Sequence, residues 1–309
     1  MIGRFDQSPA GPFMIAILLA VVFLIGPLLF GVAGVRHAAR GPGQDGAPRT
    51  WEGRLVLRSA LLYTLAFNLT FFLQELFLVL PKALTPGLKP TLFHNNHTWQ
   101  GDSPWVGLLQ GSGALAIFVS GVLCALLVRR CAARSRSLRL FLTWMAYCGL
   151  FQSLPQVMIG SVNPLNDVGM ALHFLQLGAL ARGTAALVAL LLMPLAAWCL
   201  TRDFLETATQ PLAGPRARMA YVFQVATLPA LLAVPLIVLF RIPRELIEVL
   251  AVPAVVSVIG TVWVQACAWR ETAVRSPREA QPPLGYLVAA VIALLLVFQL
   301  VLRRGIGFY

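Results

Sequence analysis

The sequence is short of charge. Asp, Glu, Lys and Arg make up only 12% of its 309 residues, against 58% hydrophobic residues and a mean hydropathy of +0.78. An ordinary water-facing chain carries roughly 25% charged residues because its surface must be solvated. This composition therefore excludes a soluble enzyme, a disordered tail and a free nucleic-acid-binding domain. Lysine is almost missing: Lys82 and Lys89 stand among 24 basic residues, and with the Ala and Leu content this matches a GC-rich bacterial genome. The five cysteines, Cys124, Cys131, Cys148, Cys199 and Cys267, form no CxxC pair, which excludes a zinc ribbon or a disulfide framework. No repeat or low-complexity domain is present, and Gly41 to Pro48 (GPGQDGAP) reads as a flexible turn.

What fills the chain instead is a series of apolar runs, at about 12–35, 59–80, 105–128, 140–161, 183–200, 221–240, 249–268 and 285–302. Each has the roughly 20 residues that cross a hydrocarbon core at about 1.5 Å per residue. They predict an all-α, polytopic transmembrane helix bundle of about eight spanning helices. It is a single integral membrane domain over 1–309, with a polar core at 60–182 and additional helices at 183–309. Pro229, Pro235 and Pro253 predict kinks. The first run has its basic flank after the apolar stretch and is too long for a signal peptide, so it reads as an uncleaved anchor.

The net charge of +12 sits in the connections. Segments 36–58, 129–139, 201–220 and 269–284 hold 5, 5, 3 and 3 arginines, 16 of the 24 basic residues. The positive-inside rule makes those segments cytoplasmic and both termini external. The expected location is a bacterial inner membrane.

Polar residues inside the runs mark cavities or helix contacts. Asn68, Gln74 and Glu75 lie in the second run, Gln110 at the head of the third, and Gln152 and Gln156 near the end of the fourth. Glu75, Gln110, Gln152 and Gln156 fall at one depth, roughly 8–14 Å below the outer helix ends at 1.5 Å per residue. They predict one outward-facing pocket. The loops above it carry His94, Asn95, Asn96, His97, Asn166, Asp167 and His173. His94 and His97, with Asp167 or Glu75, make a candidate three-ligand metal site; equally, HNNH reads as a capped structural turn. In the third run Gly113, Ala116, Ser120 and Gly121 predict close packing on another helix. Arg241, Arg244, Glu245 and Glu248 read as a solvated ion-pair turn.

The order of these parts resembles the site-2 protease family of intramembrane zinc metalloproteases. Gln74-Glu75-Leu76-Phe77-Leu78 occupies the HExxH place, Gly111 to Gly121 resembles the small-residue helix, and Asn163 to Gly169 (NPLNDVG) the segment of the third ligand. The resemblance implies zinc, Glu75 as general base and Asp167 as ligand, while Gln74 and Leu78 stand where that family has its zinc histidines. Two functions follow. One is a non-catalytic scaffold or membrane-complex subunit whose polar pocket receives a peptide, a lipid headgroup or a partner helix, with no nucleic acid involved. The other is a metal-dependent membrane hydrolase using His94, His97, Asp167 and Glu75.

Overall fold

The computed structural model describes residues 19–40, 51–130, 135–271 and 283–309. The start of the first expected run, the GPGQDGAP turn, Cys131, Arg49, Arg134, Arg275 and Arg278 lie outside them. The helices are α1 (Val21–Arg40), α2 (Gly53–Ala83), the short α3 (Val106–Leu109), α4 (Ser112–Arg130), α5 (Arg136–Val162), the short α6 (Asp167–Phe174), α7 (Ala179–Leu205), α8 (Pro215–Arg241), α9 (Leu246–Cys267) and α10 (Leu284–Arg304). Among the described residues, seven helices are long and apolar enough to cross a membrane, with α3 and α4 read as one and α5 not counted. At 27 residues α5 has the length, but Arg136, Arg139, Gln152 and Gln156 lower its apolarity.

α2 is the central strut. Its 31 residues span about 46 Å at 1.5 Å per residue, carrying Arg54 and Arg58 to one pole of the bundle and Lys82 to the other. Against it packs a buried aromatic cluster. Tyr63, Trp144 and Phe204 have ring centroids 4.5 Å and 4.7 Å apart in sequence, with Tyr147 joining at 5.3 Å from Trp144. Large apolar side chains on the periphery, Leu24, Leu28, Leu180 and Leu191 among them, face outward.

Two local rules explain the close helix crossings. Pro229 has no N–H to bond the carbonyl four residues back, and the chain widens into a π-helical turn at Phe223–Thr227 just before it. The freed Val225 carbonyl accepts the Ser59 hydroxyl at 2.5 Å, and Ser59 Oγ accepts Trp144 Nε1–H at 2.9 Å. The kink thus becomes a three-helix joint of α2, α5 and α8. On α4 the expected small-residue face packs closely: a Cβ on Gly149 would come within 2.6 Å of Gly121 Cα, and one on Gly113 within 2.8 Å of the Gln74 carbonyl.

The bundle also carries a small sheet that the all-helical expectation did not include. Strands β1 (Lys89–Leu92) and β2 (His97–Gln100) form an antiparallel hairpin with Leu92 opposite His97, and β3 (Ile306–Gly307) adds to the other edge of β1. The turn closes with Phe93 N–H donating to the Asn96 carbonyl at 2.8 Å. At the base Gly101, with φ of +93°, approaches the Gly87 carbonyl where no side chain fits. HNNH is thus a hairpin turn running into its second strand. The chain's C-terminal end is stitched to the same pole as the hairpin.

The opposite pole gathers arginines. Arg58 donates to Ser137 Oγ at 3.3 Å, Arg136 to the Tyr221 hydroxyl at 3.3 Å and Arg218 to the Trp269 carbonyl at 2.7 Å. Glu206 takes Arg139 and, at 2.8 Å, Arg202. The described parts of the four Arg-rich connections therefore meet at one end of the bundle.

Candidate functional site: a buried charge cluster under the hairpin

At the C-terminal end of α2, Glu75 and Lys82 are seven residues apart, close to two full helical turns, and so project from one face. Strand alternation places His97 and Trp99 of β2 on the side of the hairpin that meets them. Glu75 Oε2 accepts His97 Nδ1–H at 2.9 Å, and both side chains are nearly buried, 8% exposed for His97 and 7% for Glu75. With Nδ1 donating, Nε2 is left to accept from a cation when the ring is neutral or to donate when it is protonated.

Both partners are in place. Lys82 Nζ is 3.4 Å from His97 Nε2, and Gln110 Oε1 is 3.1 Å from it. Lys82 also donates to Gln110 Oε1 and, at 2.7 Å, to the Leu78 carbonyl. The ammonium is wholly buried and lies 5.0 Å from the centre of the Trp99 ring, which stacks beside His97. That face is the favourable one for a cation. The Gln110 amide turns its other end outward from the cluster, donating to Asp167 Oδ1 at 3.1 Å. Asp167 opens α6, whose first turn is capped by Asn166 accepting Val168 N–H at 3.1 Å. Burial pushes the Asp167 carboxyl up from its ordinary pKa, with Glu75 adding to the rise and His97 and Lys82 opposing it.

Glu75, His97, Gln110 and Asp167, read from the sequence as site residues, are therefore brought together. His94 is not with them. At the hairpin turn it is buried beside the backbone of Ile242, and the neighbouring Asn95 amide donates to the Arg241 carbonyl at 2.7 Å. Its two ring nitrogens have no side-chain partner, and burial, reinforced by Arg303, Arg244 and Arg241, pulls its pKa down. Arg241 is not part of a solvated turn as expected: it is 5% exposed with its guanidinium 4.3 Å from the Phe71 ring centre, while Arg244 and Glu248 form the surface pair at 2.7 Å.

The remaining polar residues form a second set. Gln156 Nε2 donates to Gln74 Oε1 at 2.9 Å and to the Gln152 carbonyl at 2.9 Å; Gln152 Nε2 donates to the Phe67 carbonyl at 3.3 Å. Asn68 bonds back to the Thr64 carbonyl at 2.8 Å. These amides clasp α2 to α5. His173 sits exposed in the last turn of α6.

Lys82 is the residue that sequence reasoning missed. It was legible in principle, as one of two lysines in an arginine-rich chain, spaced two turns from a glutamate inside an apolar run. Its presence decides how zinc fits. Three protein ligands are needed to hold a catalytic zinc, and among the described residues no three His, Cys, Asp or Glu side chains are grouped to hold a metal. His94 faces Ile242, and His97 Nε2, the free ligating atom, faces an ammonium that repels a divalent cation. The donor set does not fit zinc. No family model, no curated protein and no solved structure matches the chain.

Proposed function

We propose that the chain is a non-catalytic multi-pass protein of a bacterial inner membrane, a scaffold or a subunit of a membrane complex. Eight spans (α1, α2, α4, α5, α7, α8, α9 and α10) put the arginine pole in the cytoplasm, and the hairpin and both termini outside. The observation that carries this reading is Lys82: its buried ammonium stands against His97 and Gln110 and offsets the charges of Glu75 and Asp167.

A buried carboxylate without a counter-ion costs several kcal/mol, on the order of 3–5 when one partner of a pair is removed. The cluster then works as a lock that fixes the hairpin to the end of α2 and gives the external face one rigid shape for a peptide, a lipid headgroup or a partner helix. The Glu75–His97 contact is what favours the second reading, a metal-dependent hydrolase with Glu75 as base.

Elemental analysis separates the two. Wild type and the His94→Ala, His97→Ala double variant, each purified without chelator and dialysed against zinc, are expected to carry the same substoichiometric metal. About one zinc per chain in the wild type, lost in the double variant, would overturn the non-catalytic reading.

A further inference from the structure

A groove on the flank of the bundle lies between α1, α5, α7 and α9, with a volume of about 590 Å³, inside the range of roughly 300–1,000 Å³ for small-molecule sites. Phe23, Met158, Leu187, Leu190 and Ile259 give it apolar walls, and Arg182 is the one charged residue among the described residues that line it. The side chain is half-buried, and its Nε is shut off from solvent without a hydrogen-bond partner. Its guanidinium brings a positive charge to the rim of an otherwise apolar groove, where an anionic group would match it.

Independently, the same mouth is formed by the first turn of α7. Its N-cap is Gly178, which supplies no side-chain acceptor, and Ala179 lines the groove. The unbonded N–H groups and the positive end of the helix dipole favour an anion there. An apolar slot with one guanidinium and one bare helix end at its mouth is the shape of an amphiphile with an anionic head. A soluble anion would leave the apolar walls wet, and an uncharged lipid would leave Arg182 unmatched.

We propose that this groove binds an anionic phospholipid, one acyl chain lying along α7 and α9 and the phosphate held by Arg182 at the start of α7. Arginine suits the role because its planar fork bonds phosphate oxygens in pairs. A zwitterionic headgroup offers the same phosphate with a compensating ammonium, so it binds less strongly. The groove is separate from the Lys82 cluster, and the proposal does not depend on that cluster's role.

The test uses the full chain in mild detergent, incubated with phosphatidylglycerol or phosphatidylcholine, washed, and analysed by mass spectrometry for lipid retained per protein. Wild type is expected to retain phosphatidylglycerol about tenfold better than phosphatidylcholine, the factor that about 1.4 kcal/mol supplies. Arg182→Gln should bring the two lipids level. Gly183→Trp should lose both, because Gly183 lines the groove and a Cβ there meets nothing within 4 Å, so the added ring enters open space and leaves the fold intact. Its melting temperature and gel-filtration position are the control, and Gly183→Leu is the smaller plug if the tryptophan disturbs either. Equal retention of both lipids by the wild type, unchanged preference in Arg182→Gln, or full retention in the folded plugged variant would each overturn the proposal. So would inorganic phosphate stabilising the wild type as strongly as phosphatidylglycerol does, which would mark a site for a free anion.

Discussion

The two poles of the bundle both bury ions, but they balance them differently. At the arginine pole, Glu206 faces Arg139 and Arg202, and the buried Asp203 has Arg129, Arg139 and Arg202 around it while its Oδ2 makes no hydrogen bond. Cations outnumber anions there, and Arg202 is 60% exposed, so water shares the work. At the hairpin pole two carboxylates, Glu75 and Asp167, meet one ammonium and one imidazole beneath a sheet, with partners drawn from α2, β2, α6 and the residue after α3, and the buried Arg241 guanidinium adds its charge on the side of Glu75. The first arrangement tolerates loss of one member because solvent and other cations remain. The second is a connected network in which Lys82, His97 and Gln110 bond to one another, Glu75 attaches through His97 and Asp167 through Gln110, so loss of a central member breaks several contacts at once.

That contrast sets the order of effects. Lys82→Met should cost the most, about 3–5 kcal/mol of stability, because it removes the wholly buried ammonium that offsets Glu75 and Asp167 and leaves Gln110 and His97 without their shared partner. Arg202→Met at the other pole should cost no more than about 1 kcal/mol, as exposed ion pairs do. Thermal unfolding of the two variants in one detergent measures both, and equal losses would break the comparison.

Next comes a pH effect at the hairpin turn. His94 is held neutral by burial, so its folded pKa lies below the ordinary 6.5. Below pH 6.5 the unfolded chain takes up a proton that the folded one refuses, so the stability it contributes is present above that pH and is lost as pH falls through the folded pKa. Wild type minus His94→Gln should therefore show a stability difference that shrinks as pH is lowered from 7 to 5, read from paired melting curves; a constant difference would mean His94 is not buried neutral. The smallest effect belongs to the α2–α5 clasp. Gln156→Leu removes a neutral interhelical bond and should cost about 1 kcal/mol, measured the same way.

The helices were legible in the sequence because uninterrupted apolar runs leave few alternatives, and the arginine segments named their common pole. Glu75 and Asp167 stood out for similar reasons, a carboxyl within an apolar run and an acid in the turn-rich NPLNDVG. Matched depth, however, is only one coordinate of a side chain. Gln74 and Glu75 share a depth but point about 100° apart on a helix of 3.6 residues per turn, so Gln74 reaches Gln156 on α5 while Glu75 reaches His97 on β2. The expected single pocket consequently divides into a clasp and a charge cluster. His94 and His97 separate for a related reason: one occupies the hairpin turn and the other begins a strand. Lys82 lies at the very end of α2, where the chain leaves the helix for the hairpin. What draws it inside is the hairpin folding back over it, a long-range pairing that no local pattern announces.

Hydrogen exchange of the hairpin amides tests most directly the claim that Lys82 locks the cap to the bundle. In Lys82→Met, the Phe93 amide that closes the turn and the β1–β2 ladder from Leu92 and His97 outward should lose protection by about tenfold or more, the factor for each 1.4 kcal/mol. The helical amides of Asp203 and Glu206 at the arginine pole should exchange as in the wild type. Hairpin protection that survives the loss of the ammonium, or falls only in step with every other helix, would contradict the account.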